Sequence, residues 1–249
     1  METNQNACIA SARKNVTKKV LFALCMVIAL VAVSLTSVLA TVAYLTSSAA
    51  VSNVFTIGNV GITMTESKVN TDGTLYDGGT TKVDTNTYHL VPNKTYIKDP
   101  TISVQANSEA SYLFVLVRND LENIECNGTT HGHKGTIAEQ LAAKGWAKYT
   151  RASTGWVYVY VGVGNVPVDD VGRSDVAYTY SGAGEAVNGG SYLLFEEFSI
   201  DETANTSTYG AAKITLTAVA IQQAGFANLA AAWAAVVETY PYIHTGTTP

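Results

Sequence analysis

Cysteine is scarce in this sequence, and so is charge. Cys8, Cys25 and Cys126 are the three cysteines in 249 residues. No two are spaced as CxxC, which excludes the usual zinc and dithiol motifs. Two of the three precede residue 44, so a chain cut there keeps Cys126 alone and forms no disulfide framework within itself. Charged residues make up only 14% of the chain, and no basic stripe occurs, which argues against nucleic acid as a partner. HExxH, a P-loop and a nucleophile elbow are all missing, and Gly162-Val163-Gly164-Asn165-Val166-Pro167 lacks the third glycine of GxGxxG. No pattern calls for a cofactor.

Long hydrophobic runs are equally few, but one is present. Residues 20–43 (VLFALCMVIALVAVSLTSVLATVA) contain no charged side chain. Arg13, Lys14, Lys18 and Lys19 precede the run, opposed only by Glu2, leaving 11 basic and 19 acidic residues beyond it, a net of −8. Positive residues stay cytoplasmic, so the chain after the run is expected to be exported. The run is long enough to span a bilayer. Two readings follow: a signal peptide over 1–43, or an uncleaved anchor that ties the protein to the membrane. Signal peptidases need small residues at −3 and −1. Thr41 and Ala43 satisfy this and predict cleavage between Ala43 and Tyr44, with Val38 and Ala40 as a second match. No second apolar span follows, and the terminal HTGTTP lacks an LPxTG anchoring signal.

What is abundant is Gly, Thr, Ala, Val and Tyr, a composition that favours strands and turns. Residues 54–65 alternate with a phase slip at Gly58-Asn59, where a β-bulge keeps Phe55, Ile57, Val60, Ile62 and Met64 on one face. Residues 112–118 (YLFVLVR) are apolar at both parities, which predicts a central strand covered on both faces. Residues 156–161, 192–200 and 213–223 read as further strands, with weaker ones at 87–91 and 100–105. Residues 72–81 and 181–190 read as loops. Two short helices are predicted: 137–144, ended by Gly145, and 228–237, capped by Asn228, with Leu229, Trp233 and Val236 on one face. Many strands with no βαβ rhythm predict an all-β, antiparallel β-sandwich with two short helices, preceded by the N-terminal apolar helix. The sandwich is expected over 54–240, after a mobile segment at 44–53 and before a flexible tail at 241–249.

Three blocks, in order, carry a family resemblance. The first is ATVAYLTSSAAVSNVFTIGNVGITMTE, an aromatic after Ala followed by Asn-x-Phe-x-x-Gly-x-Val. The second is HLVPNKTYIKDPTISVQANSEASYLFVLV, a turn, a Lys-Asp-Pro strand start and an apolar strand, with Asn93 where the family usually has Gly. The third is TLTAVAIQQAGFANLAAAW, a strand ending in Ala-x-Gln and a helix bearing Trp. Together they resemble the TasA/camelysin family of exported proteins of Gram-positive bacteria. Residues 121–190 have no counterpart in it. The resemblance implies a jelly-roll-like sandwich, a signal peptidase of the SipW type as processing partner, and a biofilm-matrix location. It also implies a homo-polymer, a fibre in which the mature N-terminal strand is donated to a neighbouring subunit, with an accessory matrix or anchoring subunit as a further partner. Tyr44, Leu45 and Val51 are then the candidate anchors of the donated strand. Camelysin-like members are described as surface proteases, which makes a metalloprotease the alternative; a membrane-anchored, pilin-like subunit is the other.

For a metal, the one cluster in the sequence is Cys126, His131 and His133 in ECNGTTHGH. Two histidines at i and i+2 of a strand face one side and can share an ion; a solvated, Gly-containing loop is the plainer reading. Asp169, Asp170 and Asp175 form an acidic loop of calcium-ligand type without EF-hand spacing. The aromatic residues of WVYVYV and around Tyr178 and Tyr180 suit a sugar or partner surface, though cross-strand packing explains them as well.

Overall fold

The structure is a computed structural model that describes residue 26 and residues 46–50, 53–54, 60–126, 132–175 and 177–245. The chain divides into two units, 1–44 and 45–249. Of the first, only Met26 is described, in helical conformation. The expected signal segment, the Ala43–Tyr44 junction, Leu45, Val51, the Gly58-Asn59 slip and His131 lie outside the described residues. Among the described residues no helix is long and apolar enough to cross a membrane.

The second unit is mostly β, with three antiparallel sheets among the described residues. The largest contains β1 (Thr46–Ala50), β2 (Asn53–Val54), β7 (Ser111–Asn119), β8 (Trp146–Ala152), β9 (Gly155–Tyr160) and β12 (Ile214–Gln222), in the order β2-β1-β12-β7-β9-β8. A four-stranded sheet runs β10 (Gly190–Leu193), β6 (Thr101–Val104), β3 (Ile62–Ser67) and β4 (Lys82–Val83). The third pairs β11 (Glu197–Ile200) with β5 (Lys94–Ile97).

Side-chain parity divides the interior in two. Leu113, Val115 and Val117 of β7 point with Trp156 and Tyr158 of β9 and Leu216, Ala218 and Ala220 of β12 towards the two smaller sheets. Tyr112, Phe114 and Leu116 point the other way, with Val157, Val159, Val219 and Ile221, against the C-terminal helices. β7 lies between β12 and β9, and its residues Tyr112 to Val117 are buried at both parities. The doubly covered central strand expected from YLFVLVR is therefore present. Val60, Ile62 and Met64 share one buried face, as their common parity requires.

Both expected helices form. α1 (Ile137–Ala143) opens with a reciprocal cap, in which Glu139 N–H donates to Thr136 Oγ1 at 3.2 Å and Thr136 N–H donates to Glu139 Oε2 at 2.7 Å. Gly145 follows at φ +87°, where an added Cβ would meet the Gly162 carbonyl carbon at 2.6 Å, so both backbone and space demand glycine. α2 (Leu229–Thr239) is capped by Asn228, whose Oδ1 accepts from Ala231 N–H at 2.9 Å. Leu229 and Val236 are buried, and Trp233 packs its ring 5.0 Å from Phe114 and 5.2 Å from Tyr149. A third helix, α3 (Tyr242–Thr245), buries Ile243 completely. Ordered packing thus extends to residue 245, into the span expected as a tail.

Three further differences have physical causes. The run at 192–200 is two strands in different sheets, because Leu194 and Phe195 are both fully buried and a straight strand would put one of them outside. The break is held by Gln140, whose Oε1 accepts from Glu196 N–H and whose Nε2 donates to the Glu197 carbonyl. Residues 87–91 form no strand; Tyr96 Oη takes the place of one, accepting from Val91 N–H and donating to the His89 carbonyl. β8 was not expected, since Trp146-Ala147-Lys148-Tyr149 follows no clean alternation; a register shift between Lys148 and Thr150 reconciles it with β9. Asn93 adopts φ +55°, the left-handed conformation, which Asn tolerates better than most residues.

The Phe114–Tyr149–Trp233 cluster joins sheet to helix. Phe114→Ala is expected to lower stability by about 3–5 kcal/mol, read as a fall in the urea midpoint with an unchanged slope; a loss under about 1 kcal/mol would show that α2 docks without it.

Candidate functional site

The two long edges of the large sheet are treated in opposite ways. On one side β12 carries apolar side chains and would expose its backbone edge but for β1. Five residues cover it, with Thr46 opposite Ile221 and Ala50 opposite Thr217. Their sequence, Thr-Ser-Ser-Ala-Ala, has little strand propensity of its own, so the pairing rests on the backbone ladder. β2 folds back on β1 for two residue pairs, Ala49 with Val54 and Ala50 with Asn53. Residues 46–50, which lie between the candidate anchors in sequence, are therefore a strand in register on the protein's own sheet.

The opposite edge, β8, is closed by a loop. Lys148 N–H donates to Asp170 Oδ2 at 2.6 Å, Tyr180 N–H donates to the Tyr149 carbonyl at 2.7 Å, and Thr150 bridges Thr179. Asp170 is almost wholly buried, and that burial pushes its carboxyl up. Lys148, also buried, donates to the carbonyls of Val171 and Arg173 at 2.8 Å each. Its ammonium stands 5.0 Å from the Trp156 ring centre, with Arg151 at 5.2 Å. Buried charge, a bulge and a covering loop are the devices that keep an edge from pairing with another chain.

The acidic loop does not converge on one point. Asp169 pairs with Arg173, Asp170 holds Lys148, and Asp175 Oδ1 accepts from Ala177 N–H. Of the metal candidates, His133 Nδ1 lies 2.8 Å from Thr95 Oγ1 and 3.0 Å from Ser199 Oγ, while Cys126 is buried beside the same strand, its N–H donating to the Ser199 carbonyl. Burial, with Asp201, Glu202 and Glu139 nearby, pushes the Cys126 thiol up, which disfavours the thiolate that metals and electrophiles need. Among the described residues, no three His, Cys, Asp or Glu side chains are grouped to hold a metal ion. Trp156, Tyr158, Tyr178 and Tyr180 serve packing and cation contacts rather than an open aromatic face.

Sequence reasoning passed over two places. One is a cavity of about 780 Å³ lined by Met64, Tyr88, Leu90, Phe198 and Ile214, with Glu66 and Lys98 buried in its wall. Its polar groups come from weakly patterned segments, and the signal that could have found it is Glu66 at the parity of the apolar Ile62 and Met64. The other is Glu125, whose Oε1 accepts from Asn119 Nδ2 at 2.8 Å and whose Oε2 accepts from Ile137 N–H at the start of α1. No family model, curated protein or solved structure matches the chain.

Loss of hydration is the main cause that raises the Glu125 carboxyl to about 7 from an ordinary 4.5. The folded chain holds this proton more tightly than the unfolded one. The stability it contributes is complete below pH about 4.5 and is lost as pH rises through about 7. A carboxyl-carbon NMR titration should place Glu125 near 7, and Glu125→Gln should flatten the fall in melting temperature over that window. A titration midpoint near the ordinary value would refute this.

Proposed function

We propose that the protein is an exported structural subunit of an extracellular matrix, which assembles into fibres by donating its N-terminal strand from copy to copy. The observation that carries this reading is the pairing of Thr46–Ala50 with β12. In a copy released from its leader at Ala43–Tyr44, the same strand can complete the β12 edge of the next copy with the same residue pairs. Exchange then replaces each contact with an identical one, which makes swapping inexpensive. Backbone hydrogen bonds supply the affinity, and Tyr44, Leu45 and Val51 act as the side-chain anchors. Donation in one direction does not close, so it yields filaments.

Two further observations support the reading. Of the two edges of the large sheet among the described residues, the β8 edge is blocked and the β1 side is not. The three motif blocks resembling the TasA/camelysin family fall on β1 to β3, on the segment from residue 89 through β7, and on β12 with α2. On this reading the three sheets form a jelly-roll-like sandwich, processing is by a SipW-type peptidase, and the chain performs no catalysis.

A chain beginning at Tyr44 is expected to form filaments under the electron microscope, and one beginning at Asn53, which lacks β1, is not. Equal filament formation by the two would sink strand donation. If neither oligomerises as concentration rises, the fibre reading itself fails. N-terminal mass analysis of the exported protein should find Tyr44 first; an intact residue 1 would instead favour the membrane anchor.

A further inference from the structure

The wall of the large cavity holds an arrangement that the fibre reading does not use. Glu66, at the end of β3, is 4% exposed at its side chain, and Lys98, just beyond β5, 9%. Lys98 Nζ donates to Glu66 Oε2 at 2.6 Å. The other oxygen of the same carboxylate, Oε1, accepts from Asn86 Nδ2 at 3.0 Å. A lysine amine and an asparagine amide are thus held on the two oxygens of one buried carboxylate. The orientation of the amide is determined by its neighbours. Its Nδ2 also donates to the Ser67 carbonyl at 2.8 Å, and its Oδ1 accepts from Val69 N–H at 2.9 Å.

A buried ion pair contributes little to stability, and replacing one by apolar groups is often neutral or better. A reason for keeping this one lies in what the three groups do together. We propose that Lys98 and Asn86 form an intramolecular isopeptide bond, with Glu66 as the proton-transfer group. The first step moves a proton along the Lys98 Nζ–Glu66 Oε2 hydrogen bond, giving a neutral amine and a neutral carboxyl. The Lys98 Nζ lone pair attacks Asn86 Cγ, and the carbonyl electrons move onto Oδ1. Val69 N–H, already directed at that oxygen, stabilises the developing charge. Glu66 passes its proton to Nδ2, recovers one from Nζ, and the Cγ–Nδ2 bond breaks. Ammonia takes that proton and leaves as ammonium through the adjoining cavity. One amide replaces another, Glu66 returns to carboxylate, and no oxidant or other reactant is consumed.

The neighbouring groups fit this role. Tyr88 lines the same cavity with its hydroxyl donating to the Ile97 carbonyl, and burial together with Glu66 and Asp99 holds its phenol protonated. Lys82, the other amine nearby, is half-exposed and engaged by Ser67 Oγ and Asp99. The bond would close the loop between β4 and β5 onto itself and fix it against β3.

The test is a tryptic peptide map of the folded, unaltered protein by mass spectrometry. Trypsin does not cut at an acylated lysine, so the expected species is peptide 83–94 joined to peptide 95–118, lighter than their sum by one ammonia. Finding instead the linear peptides 83–94, 95–98 and 99–118 overturns the proposal. Glu66→Gln and Asn86→Ala, each checked for a cooperative melting transition, should return the linear peptides. A branched species that persists in folded Glu66→Gln overturns the assignment of Glu66. Because the map is read on monomeric protein, its outcome is independent of whether filaments form.

Discussion

The fold depends on one requirement: the backbone of β12 must be paired on both sides. Nine residues of β12 lie against nine of β7, and this ladder is the spine of the large sheet. Among the described residues, the other side of β12 is met by the five residues of β1. An unpaired strand edge is a template for association. The backbone pairing that holds β1 on β12 is what the proposed strand exchange rests on. The β1 sequence, Thr-Ser-Ser-Ala-Ala, contains no large apolar residue.

The contrast with β8 sharpens the point. That edge carries Lys148 in a buried position, a register shift and a loop that supplies Asp170 and Tyr180 to its free groups. Burying a lysine and an aspartate loses hydration that must be recovered by close partners. Here the partners are backbone groups of the edge and of the covering loop, so the charges serve to pin that loop in place. One edge is closed by irreplaceable polar contacts, the other by a generic ladder.

Much of the core was legible in the sequence because parity is a strong signal in long strands. YLFVLVR could be read as doubly buried, and the two faces of β7 do point into two separate cores. Asn228 and Gly145 were readable as caps because capping needs particular residue types. The failures share a different cause. The break at Leu194-Phe195, the substitute pairing by Tyr96 Oη and the unexpected β8 all arise where a side chain from another element satisfies the backbone. Local pattern carries no information about such partners. The metal candidates show the same limit: Cys126 and His133 come near one strand but attend to Ser199 and Thr95.

The groups at Glu66 were illegible for that reason too, since nothing local relates positions 66, 86 and 98. Glu66 sits on a strand whose other inward residues, Ile62 and Met64, are apolar. A carboxylate there loses hydration on folding, and the loss is offset only while both of its oxygens have donors. Lys98 alone would serve one oxygen; Asn86 serves the second and is itself held by Ser67 and Val69. The loop that carries Asn86 lacks strand pairing over residues 84–93, yet it must be placed accurately for the carboxylate to be satisfied. Accurate placement of an otherwise irregular loop is what the carboxylate enforces, and it brings amine and amide to a shared proton carrier. Structural demand and chemical opportunity thus coincide at one residue.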